Sequence, residues 1–477
     1  MKRSIVILTL PILLAARTVS FNQALSEAEQ NNIELKAKSY DVELARESIK
    51  EPGAYKKGTL TFNETISRTN NAGYVFGMKM ASREANFGDF GFSDFLGGVG
   101  QALGYSSNFD QFKAMMTNPA MAGQLLSTEP DDLNYPDARN NFETKFVYEI
   151  PLFTGYKLEN AKTMAELQLK AKIAKFSHDK KRLGLEVLKA YNGAVTAKRF
   201  IQMTKDATKI AKHFQEMAQD LYDSGLTRYI DVEQAKMAAY SISTKTKEAK
   251  TQYKLALAYL RFLTSDHSIK GVKGMKNFKF STLNLKKLQT LALTQRDDLE
   301  WMEKNAQTMK TKIAYESSDE LPTIGAHGEY GFNDDTPTVG LNKDYYLVAV
   351  GLKQKLFDGE LTKIKKQKAK IEYMKILEYQ KMMKDGIKLE VEKNLKDLLT
   401  QSKTLKEKQK TEKMAKNILK EMEDIYRNNL KFRTNMTYLL FSFGNMLQAE
   451  ADTIISAYNK SVTAAKLKLA IGNSLGE

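Results

Sequence analysis

Leu152-Phe153-Thr154-Gly155 returns as Leu356-Phe357-Asp358-Gly359, and the second copy begins 204 positions after the first. The same interval separates Leu185-Glu186-Val187 from Leu389-Glu390-Val391, and the segment 222–226 from 426–430. A register kept without gaps over roughly 75 residues implies two helices of equal length, since chance similarity does not hold register so far. Prolines agree with this. All eight lie at 11, 52, 119, 130, 136, 151, 322 and 337, so each copy of the motif is followed by a long proline-free stretch rich in Lys, Glu, Ala, Leu and Met. Because proline inside a helix costs about 3 kcal/mol, these stretches read as long helices. From Phe153 to Tyr222, and again from Phe357 to Tyr426, the separation predicts rods of about 100 Å, against three or four turns for an ordinary globular helix. A helix this long bridges a distance.

The first rod carries Leu183, Val187, Ala190, Ala194, Ala197 and Ile201 at alternating steps of four and three, a coiled-coil seam. The second keeps Ile387, Val391, Leu398 and Leu405 but interposes Asn394 and Gln401. Small and polar seam residues suit close helix packing or a wet interface better than a dry core. Asp223-Ser224-Gly225 and Asn428-Asn429 supply turn chemistry, and return helices are expected over about 231–264 and 434–470. Each half therefore predicts a helical hairpin with a defined tip.

Upstream of each rod the period changes to two. Phe142, Thr144, Phe146, Tyr148 and Ile150 alternate with Glu143, Lys145, Val147 and Glu149, as a membrane-crossing β-strand requires, although soluble sheets show the same alternation more often. Further strands are expected at 59–68, at 323–332 with Ile324, Ala326, Gly328, Tyr330 and Phe332 on one face, and at 345–352. Four strands cannot close a barrel, for which about eight are the minimum, so closure needs several copies of the chain. The first half also carries a surplus of roughly 60 residues, mostly between Ser82 and Asp137, rich in glycine and in aromatics such as Phe87, Phe90, Phe92 and Phe95. In a membrane barrel long loops face outside, and the insert is placed there.

Composition narrows the functional classes. The chain has 477 residues and no cysteine, which removes disulfides, thiolate metal sites, a cysteine nucleophile and a lipidated N-terminus. Lys2 and Arg3 precede an apolar run from Ile5 to Ala16 that is too short to span a bilayer, so it reads as a cleaved secretory leader. The net charge of +16 comes from lysines scattered over helical segments, such as Lys363, Lys366 and Lys370, without aromatics for base stacking, and no nucleic-acid partner is expected. His178, His213, His267 and His327 lie far apart, no phosphate loop or nucleophile elbow occurs, and neither an enzymatic site, a metal nor a cofactor is expected. The 20 methionines read chiefly as helix formers and gap fillers, with soft-metal binding a minor alternative. A periplasmic adaptor also has long helical hairpins, and it stands as the alternative reading. An adaptor would show one hairpin flanked by β-domains rather than two matched ones.

Taken together, the opening Phe21-Asn22-Gln23-Ala24-Leu25 with Asn31-Asn32-Ile33-Glu34-Leu35, the junction Ile150-Pro151-Leu152-Phe153-Thr154-Gly155, and Tyr222-Asp223-Ser224-Gly225-Leu226 resemble the TolC-type outer-membrane efflux family. The resemblance implies a mainly α, mixed α+β chain: a homotrimeric twelve-stranded transmembrane β-barrel, four strands per protomer, continuing into an α-helical periplasmic tunnel. It divides the chain into a leader (1–20), a first repeat (21–264), an equatorial connector (265–284) and a second repeat (285–477). In the first repeat strands fall at about 58–80 and 140–152 around the insert at 82–137, followed by a hairpin at 155–264 with its tip at 222–231. In the second, a helix at 285–318 precedes strands at about 322–333 and 345–356 and a hairpin at 359–470 with its tip at 426–435. The strand–helix junctions would be Pro151, Leu152, Phe153 and Gly155, and Leu356, Phe357 and Gly359. Tyr222, Gly225, Leu226 and Leu430 would form the tip that docks a periplasmic adaptor. In the closed gate Tyr426 and Lys431 would face Asp231, and the family's acidic constriction would map to Asn435 and Tyr438, neither of which is acidic here. Expected partners are outer-membrane lipid, the adaptor and an inner-membrane pump of RND or ABC type, with the protein itself a passive duct.

Overall fold

The structure, a computed structural model, describes residues 17–106, 108–337, 340, 342–428 and 435–476. These form β1 (Arg17–Val19), α1 (Phe21–Asn31), α2 (Ile33–Ser48), α3 (Glu51–Tyr55), β2 (Thr59–Thr69), α4 (Ala72–Ala81), α5 (Phe92–Gly104), α6 (Phe109–Thr117), α7 (Pro119–Leu126), α8 (Asp131–Asn134) and β3 (Arg139–Phe153). There follow α9 (Lys157–Asp223), α10 (Tyr229–Thr264), β4 (Ile269–Val272), α11 (Leu285–Gln295), α12 (Asp297–Ser317), β5 (Thr323–Asp334), β6 (Asp344–Lys353), α13 (Leu361–Asn428) and α14 (Met436–Ala470). The chain forms two compact units. Unit 1 takes in the described residues up to Ser48, Met164–Lys310 and Lys370 onward; unit 2 is Ile49–Thr163 with Thr311–Ala369.

Unit 1 is built on long helices. Residues 164–223 of α9 alone make a rod of about 90 Å. Along it Val187, Ala190, Ala194 and Ala197 are buried, as the seam spacing predicts, and on α13 Ile387, Val391 and Leu398 are buried with Asn394 among them. One core gathers Phe21 and Leu25 of α1, Leu188 and Tyr191 of α9, Leu260 of α10 and the short parallel pair β1–β4. A second joins α11, α13 and α14. A third lies at the far end of the hairpins, where Phe214 meets Phe443 edge-on at 5.6 Å and Val232, Tyr426 and Leu439 close around them.

Helix starts are specified locally. Ser20 and Gln23 form a capping box, each side chain meeting the other's backbone, and Phe21, Ala24, Leu25 and Ala28 then bury one face of α1. Two expected helices are broken. The opening helix stops at Asn32, whose amide donates to Leu263 O at 2.9 Å and whose carbonyl caps Leu35 N at 2.9 Å. The helix expected over 285–318 breaks at Arg296, between α11 and α12.

Unit 2 holds an antiparallel sheet in the order β2-β3-β5-β6. The strand expected over about 58–80 ends at Thr69. Asn71 accepts a hydrogen bond from Tyr74 N at 3.3 Å, and that cap starts α4 instead. Within the unit, Arg83 donates to the carbonyls of Asn342 and Asp344, at 3.0 and 2.6 Å, tying the insert to the β5–β6 end of the sheet.

Candidate functional site

The sheet has two chemically distinct faces. Its register places Phe62, Phe146, Tyr330 and Tyr346 in one row across all four strands, with Leu60, Tyr148, Gly328 and Val348 in the next. Leu60, Phe62, Ile66, Tyr346, Val348, Val350 and Leu352 on this face are all well exposed. The opposite face is ionic. Lys145 pairs with Glu143 at 3.0 Å and Glu329 at 3.6 Å, while the Tyr345 hydroxyl donates to Glu329 at 2.6 Å and Glu143 at 3.2 Å. One apolar face, one polar face and 10 to 15 residues per strand is a pattern that membrane-crossing sheets share.

Both strand–helix junctions use the same backbone device. Gly155 and Tyr156 have φ of +61° and +64°, and Gly359 and Glu360 both have +65°, so each turn needs two successive left-handed residues. The helix that follows is capped by the residue before the glycine: Thr154 Oγ1 accepts from Leu158 N at 3.3 Å, and Asp358 Oδ2 accepts from Thr362 N at 3.1 Å. The surroundings differ. A Cβ on Gly155 would lie 2.6 Å from Ser318 O, whereas one on Gly359 would meet nothing within 4 Å. Pro151 sits at the irregular end of the β3–β5 pairing, and Phe153 packs edge-on to Tyr156 at 5.3 Å. Leu152, Leu356 and Phe357 are exposed, the last two at 91% and 85%.

At the tip, α9 closes in a Schellman turn. Leu226 N donates to Leu221 O and Gly225 N to Tyr222 O, both at 2.8 Å, with Gly225 at φ +72°. Tyr222 stacks edge-on against Tyr229 at 5.6 Å, and Leu226 is exposed. Asp231, only 4% exposed, sits in the first turn of α10, where the helix dipole favours a carboxylate, and accepts from the Thr227 hydroxyl. The Tyr426 ring comes from α13 and is also 4% exposed. Its Oη faces Thr227 and Asp231 but makes no hydrogen bond among the described residues, and burial raises its pKa. Asn435 caps α14 by accepting from Tyr438 N at 3.3 Å, and Tyr438 is exposed. Leu430 and Lys431 lie outside the described residues.

Residues 128–265 match the outer membrane efflux protein family. That segment holds β3, its junction, α9, the Schellman turn and α10. Over that segment the chain is similar to the outer-membrane efflux proteins. Solved structures carry the same fold over nearly the whole length. CusC superposes with a TM-score of 0.74 at 12% identity, covering 95% of this chain and 92% of its own. The Campylobacter jejuni CmeC outer membrane channel gives 0.71 at 14% identity over 95% and 85%, and VceC of Vibrio cholerae 0.69 at 13% over 95% and 96%. No curated protein sequence matches the chain.

The tip includes contacts that sequence reasoning missed. His213 Nε2 lies 3.0 Å from Glu423 Oε1, with Arg427 Nη2 3.5 Å from the same ring nitrogen, and Thr437 Oγ1 donates to Gln234 at 3.1 Å. Each joins the first hairpin to the second. His213 reads in sequence as an isolated helix histidine, because nothing local identifies its partner 210 positions away.

Proposed function

We propose that the protein is a passive exit duct, three copies of which close one twelve-stranded barrel and one helical tunnel. The observation that carries this is the sheet of unit 2, with an exposed apolar face, an ionic opposite face, and β2 and β6 left as open edges. An unpaired edge cannot face hydrocarbon, and four strands are too few to curl shut, so edge must meet edge between copies. Three fourfold sheets satisfy every edge and turn the Lys145–Glu329 network to the lumen. The family match over residues 128–265 and the likeness to the CmeC outer membrane channel support the same reading.

On this reading the hairpin ends meet a periplasmic adaptor, through which an inner-membrane pump of RND or ABC type supplies energy for export of small molecules or proteins. Tyr222, Leu226 and the exposed Tyr229 and Ile230 offer an apolar docking surface. Asp231, Thr227 and Tyr426, with the His213–Glu423 pair, would hold the two hairpins of each protomer together in the closed tip, where Asn435 and Tyr438 line the constriction. Arg17–Val19 forms β1 and Arg17 bonds Glu27 and Asp266, so residues 17–20, expected to lie in the leader, pack within unit 1.

Because the chain has no cysteine, single cysteines introduced on β2 and β6 report edge pairing cleanly. Cysteine pairs across these edges should crosslink to a trimer in the outer-membrane fraction that survives heating in detergent and separates only once a thiol reductant is added. A monomer released with the periplasmic fraction sinks the proposal.

A further inference from the structure

A cleft of about 510 Å3 opens in unit 1 between α9, the α11–α12 corner, α13 and the end of α14. Its volume falls within the range of small-ligand sites, about 300–1,000 Å3. Three carboxylates line it, and all are already engaged. Arg296 donates to Asp298 at 3.0 and 2.7 Å and to Glu390 at 2.5 Å, while Lys181 meets Asp297 at 2.6 Å. Arg182, Lys393 and Lys466 line the same cleft with no hydrogen-bond or ion-pair partner among the described residues. Permanent cations therefore outnumber carboxylates there by five to three. His178 adds no cation at neutral pH, since burial lowers its pKa.

Asn394 is the second and independent observation. It is 8% exposed, faces the cleft and has no hydrogen-bond partner among the described residues. Its amide atoms are not sealed from solvent, so they are open to a ligand oxygen entering the cleft. The 204-position interval pairs Asn394 with Ala190, which is buried and apolar. The helix seam does not require an amide at this position.

The corner beside it departs in the same direction. In the first half Asn32 links the helix break to the end of α10 through Leu263 O, a neutral contact. In the second half Arg296 links the break to the end of α14 through Ala470 O at 3.3 Å, with a guanidinium in place of an amide. The corner thus has a sufficient neutral solution, and only one half surrounds it with surplus cations.

We propose that this cleft binds a small multivalent oxyanion, its charge met by Arg182, Lys393 and Lys466 and one oxygen by the Asn394 amide. Phosphoryl and carboxylate groups both have this chemistry. Binding is independent of what the duct carries.

Isothermal titration of the detergent-solubilised full-length protein with inorganic pyrophosphate at low salt tests this. Saturable binding of one anion per protomer is expected, weakening as salt rises. Lys393→Ser with Lys466→Ser should lower affinity about tenfold or more, the usual effect of losing one charge-assisted hydrogen bond. Lys381→Ser, elsewhere on α13 and paired with Glu378, should leave affinity unchanged. Asn394→Ala should weaken binding yet leave the anion-free melting temperature equal or higher. Absence of saturable heat, or equal affinity in the double variant and the Lys381 control, overturns the proposal. So does an Asn394→Ala protein that melts lower but binds as well.

Discussion

Removing the Asp231 carboxylate should loosen the tip, and removing the Tyr426 hydroxyl should not. Asp231 is almost fully buried, accepts from Thr227 and lies in the first turn of α10. A hydrogen bond to a charged group contributes about 1.5–3 kcal/mol, and the helix dipole adds about 0.3–1 kcal/mol. Asp231→Ala should therefore cost about 2–4 kcal/mol of local stability, three times over in a trimer. Tyr426→Phe keeps a ring packed among Phe214, Val232 and Leu439 and deletes an Oη that has no partner among the described residues. Its cost should be close to zero, and coupling in the double variant below about 0.5 kcal/mol, the scatter of independent sites. Single-channel conductance in planar bilayers is the functional readout, with Asp231→Ala opening the pore and Tyr426→Phe leaving it closed. Coupling of about 1.5 kcal/mol or more, with conductance raised equally by either substitution, would refute the argument. It would mean that Tyr426 bonds Asp231 directly in the assembled gate.

Three further outcomes are expected. Gly155→Ala combines left-handed strain of about 1–2 kcal/mol with a clash against Ser318 O, whereas Gly359→Ala carries the strain alone, so the first should lower the trimer's dissociation temperature clearly more. Burial holds the folded pKa of His178 below its unfolded value of about 6.5, so its contribution to stability is complete above that pH and declines as pH falls; a urea series from pH 7.5 to 5 should show this slope, flattened in His178→Gln. Asn435→Asp keeps the cap on Tyr438 N and improves the helix-dipole interaction by about 0.3–1 kcal/mol, so the protein should fold normally while a ring of three carboxylates introduces block by multivalent cations, measured as current lost on adding them to the periplasmic side.

Features set by neighbours in sequence were legible before the structure. Gly225 announces the Schellman turn, the alternation from Phe142 to Ile150 gives a strand its apolar face, and the proline-free stretches give the rods. Features set by competition between local options were misread. Residues 72–81 look compatible with a continuing strand until Asn71 captures the Tyr74 N–H and turns the chain helical. The breaks at Asn32 and Arg296 arise from bonds to Leu263 and Ala470, more than 170 positions away. Partners at such distance leave no periodic trace. His213 with Glu423, and Thr227 beside Tyr426, were invisible for the same reason.

The paired positions separate what the backbone requires from what is added to it. Gly155 and Gly359 share a left-handed φ because both turns bend a strand into a helix, and Thr154 and Asp358 both cap because either side-chain oxygen can accept the N–H. At these sites chemistry follows geometry. Asn394 opposite Ala190, and Arg296 opposite Asn32, depart from that rule, since the neutral member already satisfies the local structure. An unpaired amide and a surplus of cations are not required by packing, so two such departures in one cleft point to an interaction outside the chain. Asp231 opposite Asn435 is a milder case, because both cap or stabilise a helix start and differ only in charge. Charge at the tip can therefore change at little structural cost while the hairpin ends keep their shape.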